Sequence, residues 1–334
     1  MTKQYNWRNR MSIFRRIIIV FLGTFLYLSF PTRAEAILHI VSSFPQDASI
    51  ASLVGGKYVT ATSLSKAIND PHAVQPKPNM AVALNKADLL ITNGQDMDLA
   101  WLPIAVANAR NSKILEGTEG YFDPSAGVSL IPYNSEELKD TPFYSLNLIS
   151  GPDHSGGKNS TKRGNHHYWL DPANGIIVAH NIANKLSELD PVHKAQFNNN
   201  ANKFEKTLKA KMKIWDAEML PYRGTPVVSY HRDWIYLIQR HGLNLIGYVE
   251  PRETIPPSAG EVVNLILRMR KAKVKVIMTS PWQNQRIPHE IAQKTGAIHL
   301  SLPSSVGSDV GAKDYIDMFD VIYGKLITAL KQAK

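Results

Sequence analysis

Two doubly wound α/β lobes joined by one long helix is the architecture the sequence predicts, and three observations predict it. Short β-rich runs alternate with helical segments in both halves of the chain, as in βαβ units. Asp88-Leu89-Leu90-Ile91-Thr92 is a continuous apolar run, the pattern of a strand buried on both faces of a parallel sheet. Between Pro191 and Leu220, an apolar stripe of Phe197, Ala201, Phe204, Leu208, Met212, Trp215 and Met219 recurs at helical spacing.

The elements follow in order. Ile37 to Ser43 is the first strand, Gln46 to Val54 a helix ended by Gly55-Gly56, and Tyr58 to Thr62 a second strand. Asp70-Pro71-His72 lies in a loop by its turn chemistry. Pro78 suits the first turn of a helix through Lys86, because the position leaves a backbone donor idle. After the strand at 88–92, closed by Asn93-Gly94, come a helix from Trp101 to Arg110 and a short strand over Ser112–Leu115. Residues 117–166 are rich in Gly, Ser, Asn and Pro, and Asp153–Ser160 reads as a flexible surface loop; His154 and His166 could scavenge metal loosely there, but are expected to be solvated.

A helix follows from Asn174 to Leu189. Asp190-Pro191 starts the long one, which at 1.5 Å per residue is about 45 Å long. The second half repeats the pattern. Strands are expected at Val227–Tyr230, Leu245–Val249, Val274–Met278 and Ala297–Leu302. Helices are expected at Trp234–Gln239, Ser258–Lys271, Pro288–Lys294 and Tyr315–Lys331, with Ser258 and Glu261 forming a capping box. The implied domains are 1–36, an N-terminal lobe 37–190, the connecting helix 191–221 and a C-terminal lobe 222–334.

Composition narrows the chemistry. The 334 residues, 44% of them hydrophobic, suffice for a proper core. Cysteine is absent, which excludes disulfides, thiolate metal sites and a lipidated cysteine. Half of the formal +10 charge lies in residues 1–36, and no basic stripe interleaved with aromatics marks a nucleic-acid partner. In that segment, basic residues lead into Ile17–Leu22, and Ala34-Glu35-Ala36 offers a small-x-small cleavage pattern. The apolar stretch of about 14 residues is short of the roughly 20 that span a bilayer. We read it as a cleavable signal peptide and expect a soluble, non-lipidated periplasmic protein.

The chain has 11 histidines. His39 and His299 fall in strands, His180, His193 and His241 in or near helices, and His289 opens one; these are ordinary core or surface positions. His72, His167 and His231 differ. Each sits at a strand–helix or loop–helix junction, where open α/β sheets form ligand crevices. Neutral imidazole is a common ligand for zinc and suits other first-row metals. The three are far apart in sequence, so spacing alone does not prove a shared site. Three histidines with an open fourth position also describe hydrolytic zinc centres, with Asp233 or Glu250 as a conceivable base.

Several motifs together point further. Pro71-His72 precedes a proline-spaced helix at Pro76 and Pro78; Ala87-Asp88-Leu89 leads to Asn93-Gly94; His167-Tyr168-Trp169-Leu170-Asp171-Pro172 reads His-x-Trp-Leu-Asp-Pro; and His231 follows a strand, with Trp234 and Tyr236 beyond. In these the chain resembles the substrate-binding proteins of zinc and manganese ABC transporters, the ZnuA/TroA-like cluster, over nearly all of residues 37–334. The resemblance implies a non-enzymatic, monomeric receptor. It would bind a divalent ion through His72, His167 and His231 and deliver it to an inner-membrane permease driven by an ATPase. Modest lobe movement would accompany release.

Zinc is the expected ion, with manganese or iron as the alternative, because three imidazoles suit zinc better than manganese, which prefers oxygen. Binding requires deprotonated rings, so it is expected to weaken below about pH 6.5. An adhesin on the same fold is a further alternative. One departure stands out. The family commonly has an acidic fourth ligand where this chain reads Leu300-Ser301-Leu302-Pro303-Ser304, and Pro303 falls on or beside that position. Water, Asp309 or Glu250 is then left for the fourth place. Asp171 is expected to support the loop after His167 or to cap the next helix.

Overall fold

The computed structural model describes residues 37–132, 164–252 and 255–333. The expected signal segment 1–36 and the expected loop around Asp153–Ser160 lie outside them. No helix among the described residues is long and apolar enough to cross a membrane.

The first half runs β1 (Leu38–Ser42), α1 (Pro45–Gly55), β2 (Val59–Ser63), α2 (Pro78–Asn85), β3 (Leu89–Ile91), α3 (Leu102–Ala109), β4 (Tyr121–Phe122) and α4 (Pro172–Leu189). The long helix α5 (Lys194–Met219) comes next. The second half follows as β5 (Pro226–Ser229), α6 (Ile235–Arg240), β6 (Asn244–Tyr248), α7 (Ala259–Ala272), β7 (Val276–Thr279), α8 (Arg286–Thr295), β8 (Ile298–Ser301) and α9 (Tyr315–Gln332). All pairings between these strands are parallel, and the sheet orders are β2-β1-β3-β4 and β6-β5-β7-β8. The two orders are the same when counted from each half's first strand. Each sheet therefore has its topological switch point beside that strand, where a doubly wound fold opens a crevice at the carboxyl ends.

Local chemistry accounts for most boundaries. α1, α2 and α4 begin with proline in the first turn, where a missing donor does no harm. Gly56 ends α1 at φ 58°, in the left-handed region. The capping box at Ser258 and Glu261 is present in full at the start of α7. One expected strand is absent. Ser112–Ile114 is a 3₁₀ turn, because the Asn111 side chain accepts from Lys113 N–H at 3.1 Å. The same amide donates to the carbonyls of Leu84 and Ala87 at 2.9 and 2.8 Å. The chain is capped before it can extend, and the sheet edge is taken by β4 instead.

The long helix is α5, 26 residues and so about 39 Å, flanked by 3₁₀ turns at Pro191–His193 and Leu220–Tyr222. Its predicted stripe is the buried face: Phe197, Ala201, Phe204, Leu208, Trp215 and Met219 are buried, and Met212 packs against the same core. It lies against α4, α1 and α9. Along α9, Trp215 stacks on Tyr323 at 4.8 Å between centroids, and Phe204 meets Tyr315 at 6.1 Å. One continuous core extends from β1 and β3 through α4, α5 and α9 to β5 and β7.

The last helix also ties the second half to the first. Tyr315 donates its hydroxyl to the Trp169 carbonyl at 2.7 Å and its N–H to Ser49 Oγ at 3.0 Å. Gly175 in α4 makes room for that ring, since a Cβ there would lie 2.3 Å from Tyr315 Cε1. We expect Gly175→Ala to destabilise the fold by about 1–3 kcal/mol through overpacking. Gly260→Ala, on a helical position with nothing within 4 Å, should stabilise it by up to about 1 kcal/mol. Urea denaturation midpoints for the two variants check this; equal midpoints would contradict the packing described.

Candidate metal centre

Three loops supply the three imidazoles. His72 follows β2 in a turn held by Asp70, whose Oδ1 accepts the His72 N–H at 2.9 Å. The side chain is half-buried. His231 lies two residues beyond β5, at the switch point of the second sheet, and is 4% exposed. Ser229 Oγ donates to its carbonyl. The following turn, Arg232–Trp234, is fixed by Asp233, which accepts from Ser280 Oγ at 2.6 Å, Gln283 Nε2 at 3.0 Å, Trp234 N–H at 3.2 Å and Ser229 Oγ at 3.3 Å. Burial raises the Asp233 pKa, and these hydrogen bonds oppose the rise.

His167 opens the 3₁₀ turn Tyr168–Leu170 and is 1% exposed. Asn165 Oδ1 lies 2.9 Å from its backbone N and 3.1 Å from its Nδ1. The amide cannot turn over without loss, because Asn165 Nδ2 donates to the Arg232 carbonyl at 3.0 Å. His167 therefore donates from Nδ1 and directs the Nε2 lone pair inward. Burial, and after it the neighbouring imidazoles of His166, His72 and His231, hold its pKa well below the ordinary value. The neutral ring, which is the ligating form, is thereby favoured.

The carbonyl end of β3 supports the same stretch. Asn93 receives the Tyr168 hydroxyl on its carbonyl at 2.7 Å and donates from its side chain to the His166 carbonyl at 3.1 Å. Asp98 anchors Asn93 in turn, accepting its N–H at 2.9 Å and Ser43 Oγ at 2.6 Å. Burial raises the Asp98 pKa to about 6. Asp171 fulfils the capping role expected of it. It caps α4 through Ala173 N–H at 2.9 Å, and it meets Arg240 of the second half at 3.1 Å.

The result is a compact nitrogen cluster. His72, His167 and His231 each offer a ring nitrogen, and these nitrogens all lie within 4.8 Å of one another. His72 Nε2 and His167 Nε2 are 3.2 Å apart. Two ligands on a tetrahedral ion at 2.0–2.1 Å are separated by about 3.3 Å. The ring centroids are 5.2 to 5.5 Å apart. Trp169 flanks His167 at 5.3 Å and Trp282 flanks His72 at 6.2 Å, walling the crevice with aromatic surface.

No carboxylate of the described residues joins that group. Asp309 accepts from Lys325 at 2.7 Å and from Gly311 N–H at 3.0 Å. Glu250 accepts from the Tyr230 hydroxyl at 3.3 Å. Pro303 is buried. The other histidines expected to be ordinary have protein partners: His39 with Thr60, His180 with Glu205, His193 with Asp190, His241 with Tyr323, His289 with Gln293 and His299 with Thr279.

His166 corrects an expectation. It is half-buried rather than solvated, with its ring 5.0 Å from His72 and 4.5 Å from His167. Its adjacency to His167 in a tightly bonded stretch was the available signal. Asn165, Asn93 and Trp282 also went unnoticed, since nothing in their local sequence marks a role that arises only from distant partners.

Comparisons with known proteins supply the family. Residues 40–329 match the family model ZnuA, described as zinc-uptake complex component A, periplasmic. The high-affinity zinc uptake system protein ZnuA of Brucella abortus is 26% identical over 165 residues, covering 49% of this chain and 48% of that protein. The chain thus spans about half the length of that relative. The metal ABC transporter substrate-binding lipoprotein SloC of Streptococcus mutans is 23% identical over 309 residues, 91% of each chain. The iron-binding protein YfeA of Yersinia pestis is 23% identical over 297 residues, covering 84% and 83%. Among solved structures, a ZnuA crystal structure has a TM-score of 0.70 at 21% identity, covering 88% of this chain and 99% of that one. A manganese-bound periplasmic metal-binding protein from Candidatus Liberibacter asiaticus has a TM-score of 0.69 at 20% identity, covering 87% and 98%. With a family model matched across nearly all of its two lobes, this chain belongs to the ZnuA family.

Proposed function

We propose that the chain is a non-enzymatic receptor that captures a divalent metal ion, zinc by preference, outside the cytoplasmic membrane. It then delivers the ion to an ABC permease and its ATPase. The observation that carries this reading is the convergence of His72, His167 and His231 from both halves, with nitrogens within 4.8 Å of one another. The ion is cargo. His72, His167 and His231 supply the donors, and Asn165 sets the tautomer of His167. Residues 1–36 are read as the export signal and residues 37–190, 191–221 and 222–334 as lobe, connector and lobe of a monomer.

Zinc is favoured over manganese on the donor set. Three neutral imidazoles suit a borderline-soft ion, whereas manganese gains most from carboxylate and carbonyl oxygens. The names of relatives point to zinc in Brucella, iron in Yersinia and a manganese-bound Liberibacter structure, so family membership alone does not choose. A hydrolytic reading needs a base near the metal. The Asp233 oxygens are committed to four donors and Glu250 accepts from Tyr230, which favours the receptor.

Competitive metal titration of the chain tests the reading. We expect His72→Ala, His167→Ala and His231→Ala each to weaken zinc binding by at least about 100-fold, and the parent to hold zinc more tightly than manganese. Parent-like affinity in all three variants would refute the site; tighter manganese binding would refute the choice of ion. Asn165→Ala should weaken zinc about 10- to 100-fold without removing a ligand. Unfolding curves give an independent check: free zinc at about 1,000 times its Kd should stabilise the parent by about 4 kcal/mol and the triad variants much less.

A further inference from the structure

We propose that His166 supplies a fourth imidazole to the bound ion, filling the place where the family commonly has an acid. The inference rests on the metal-receptor reading above and adds a donor to it. Its ring lies 5.0 Å from His72 and 4.5 Å from His167, no farther than the 5.2 to 5.5 Å that separates the three rings from one another. Its Nε2 is shielded from solvent.

Its backbone is held on both sides. The His166 carbonyl accepts from Asn93 Nδ2 at 3.1 Å, and on either side Asn165 N–H donates to the Ile131 carbonyl at 2.7 Å and His167 N–H to Asn165 Oδ1 at 2.9 Å. His166 does not lie within 4.8 Å of all three partner nitrogens. A change of its χ angles, without movement of the backbone, is the step that would bring it in. On binding, one of its nitrogens replaces a water on the ion, and the neutral ring keeps its single proton on the other.

The competing donors are committed elsewhere. Asp70 accepts from His72 N–H, Asp233 from four donors, Glu250 from Tyr230 and Asp309 from Lys325 and Gly311. Recruiting any of them would break one of these hydrogen bonds. Recruiting His166 by its side chain leaves the backbone hydrogen bonds just named in place. Four imidazoles are also an all-nitrogen donor set with no anionic oxygen, which sharpens the preference for zinc over manganese.

X-ray absorption of the zinc-loaded full chain, with cobalt(II) spectra in support, tests this directly. In the parent we expect four imidazole nitrogens at about 2.0–2.1 Å. In His166→Gln and His166→Ala we expect one fewer, altered cobalt d–d bands and zinc affinity weaker by at least about tenfold. Melting of the metal-free variants should match the parent, which separates ligation from folding. A parent spectrum of three imidazoles and an oxygen overturns the proposal, even if both variants fail to fold. So does parent-like affinity in variants that do fold. Loss of binding in the His72, His167 and His231 variants with no effect at His166 refutes this inference alone; no effect at any of the four refutes the receptor reading itself.

Discussion

The Asn165 amide bridges the two halves of the centre, and two of the three imidazoles depend on it. Its oxygen fixes the backbone and ring of His167, while its nitrogen holds the carbonyl of Arg232, the residue after His231. Its own carbonyl receives the Tyr236 hydroxyl from α6, and the Ile131 N–H donates to that same hydroxyl at 3.2 Å. A ligand from the first half is thereby positioned relative to a ligand from the second by a buried network with few degrees of freedom. A half-satisfied network of this kind would be worse than none, because each orphaned polar group in a buried site is costly. The centre therefore depends on the lobes keeping their register.

That register is secured below the crevice. α5 and α9 run through a core shared by both sheets, and the aromatic contacts along them, Trp215 on Tyr323 and Phe204 on Tyr315, leave little room for sliding. Tyr315 then reaches the Trp169 carbonyl, two residues past His167, and Trp169 Nε1 donates to the Ser304 carbonyl of the second half at 2.8 Å. Arg240 closes a further link, taking Asp216 of α5 at 2.7 Å and the capping Asp171 of α4. A hinge that opened the crevice widely would have to break these buried contacts together. Small displacements of loops and rings break none of these contacts.

Much of this was legible in the residues. Proline at first helical positions, a capping box, and an apolar stripe at steps of three and four all act locally, so α1, α5 and α7 could be read with their boundaries nearly right. His72, His167 and His231 stood out because each follows a turn at an element junction, and the crevice of a parallel sheet collects such junctions. What was not legible depends on distant partners. Ser112–Ile114 has strand-like composition, but Asn111 draws it into a turn through carbonyls of α2 and its C-terminal end. His166 reads as one more residue of a polar loop until Asn93, more than seventy residues away, pins its carbonyl beside the triad. Glu250 and Asp309 were reasonable acids on proximity in sequence, and the structure gives them other partners.

Among the described residues no carboxylate joins the nitrogen cluster, and this has a consequence for the proposed capture and release. A dication among neutral imidazoles keeps its charge, and the hold comes from directed lone pairs rather than from Coulomb attraction to an anion in a low-dielectric site. A buried carboxylate would bind the ion more tightly and would stand uncompensated once the ion left, a state that is costly unless a proton or another cation arrives. The His167 imidazole, which burial holds neutral, faces no such penalty, since a neutral ring brings the same ligand charge with or without a metal ion. The proposed release of the ion is served by that symmetry. Under the proposed ligation, withdrawing a single ring by a rotamer change would lower the coordination number without creating a buried charge, and the rings best placed to do so are the half-buried ones, His72 and His166, rather than His167 and His231, which the surrounding network encloses.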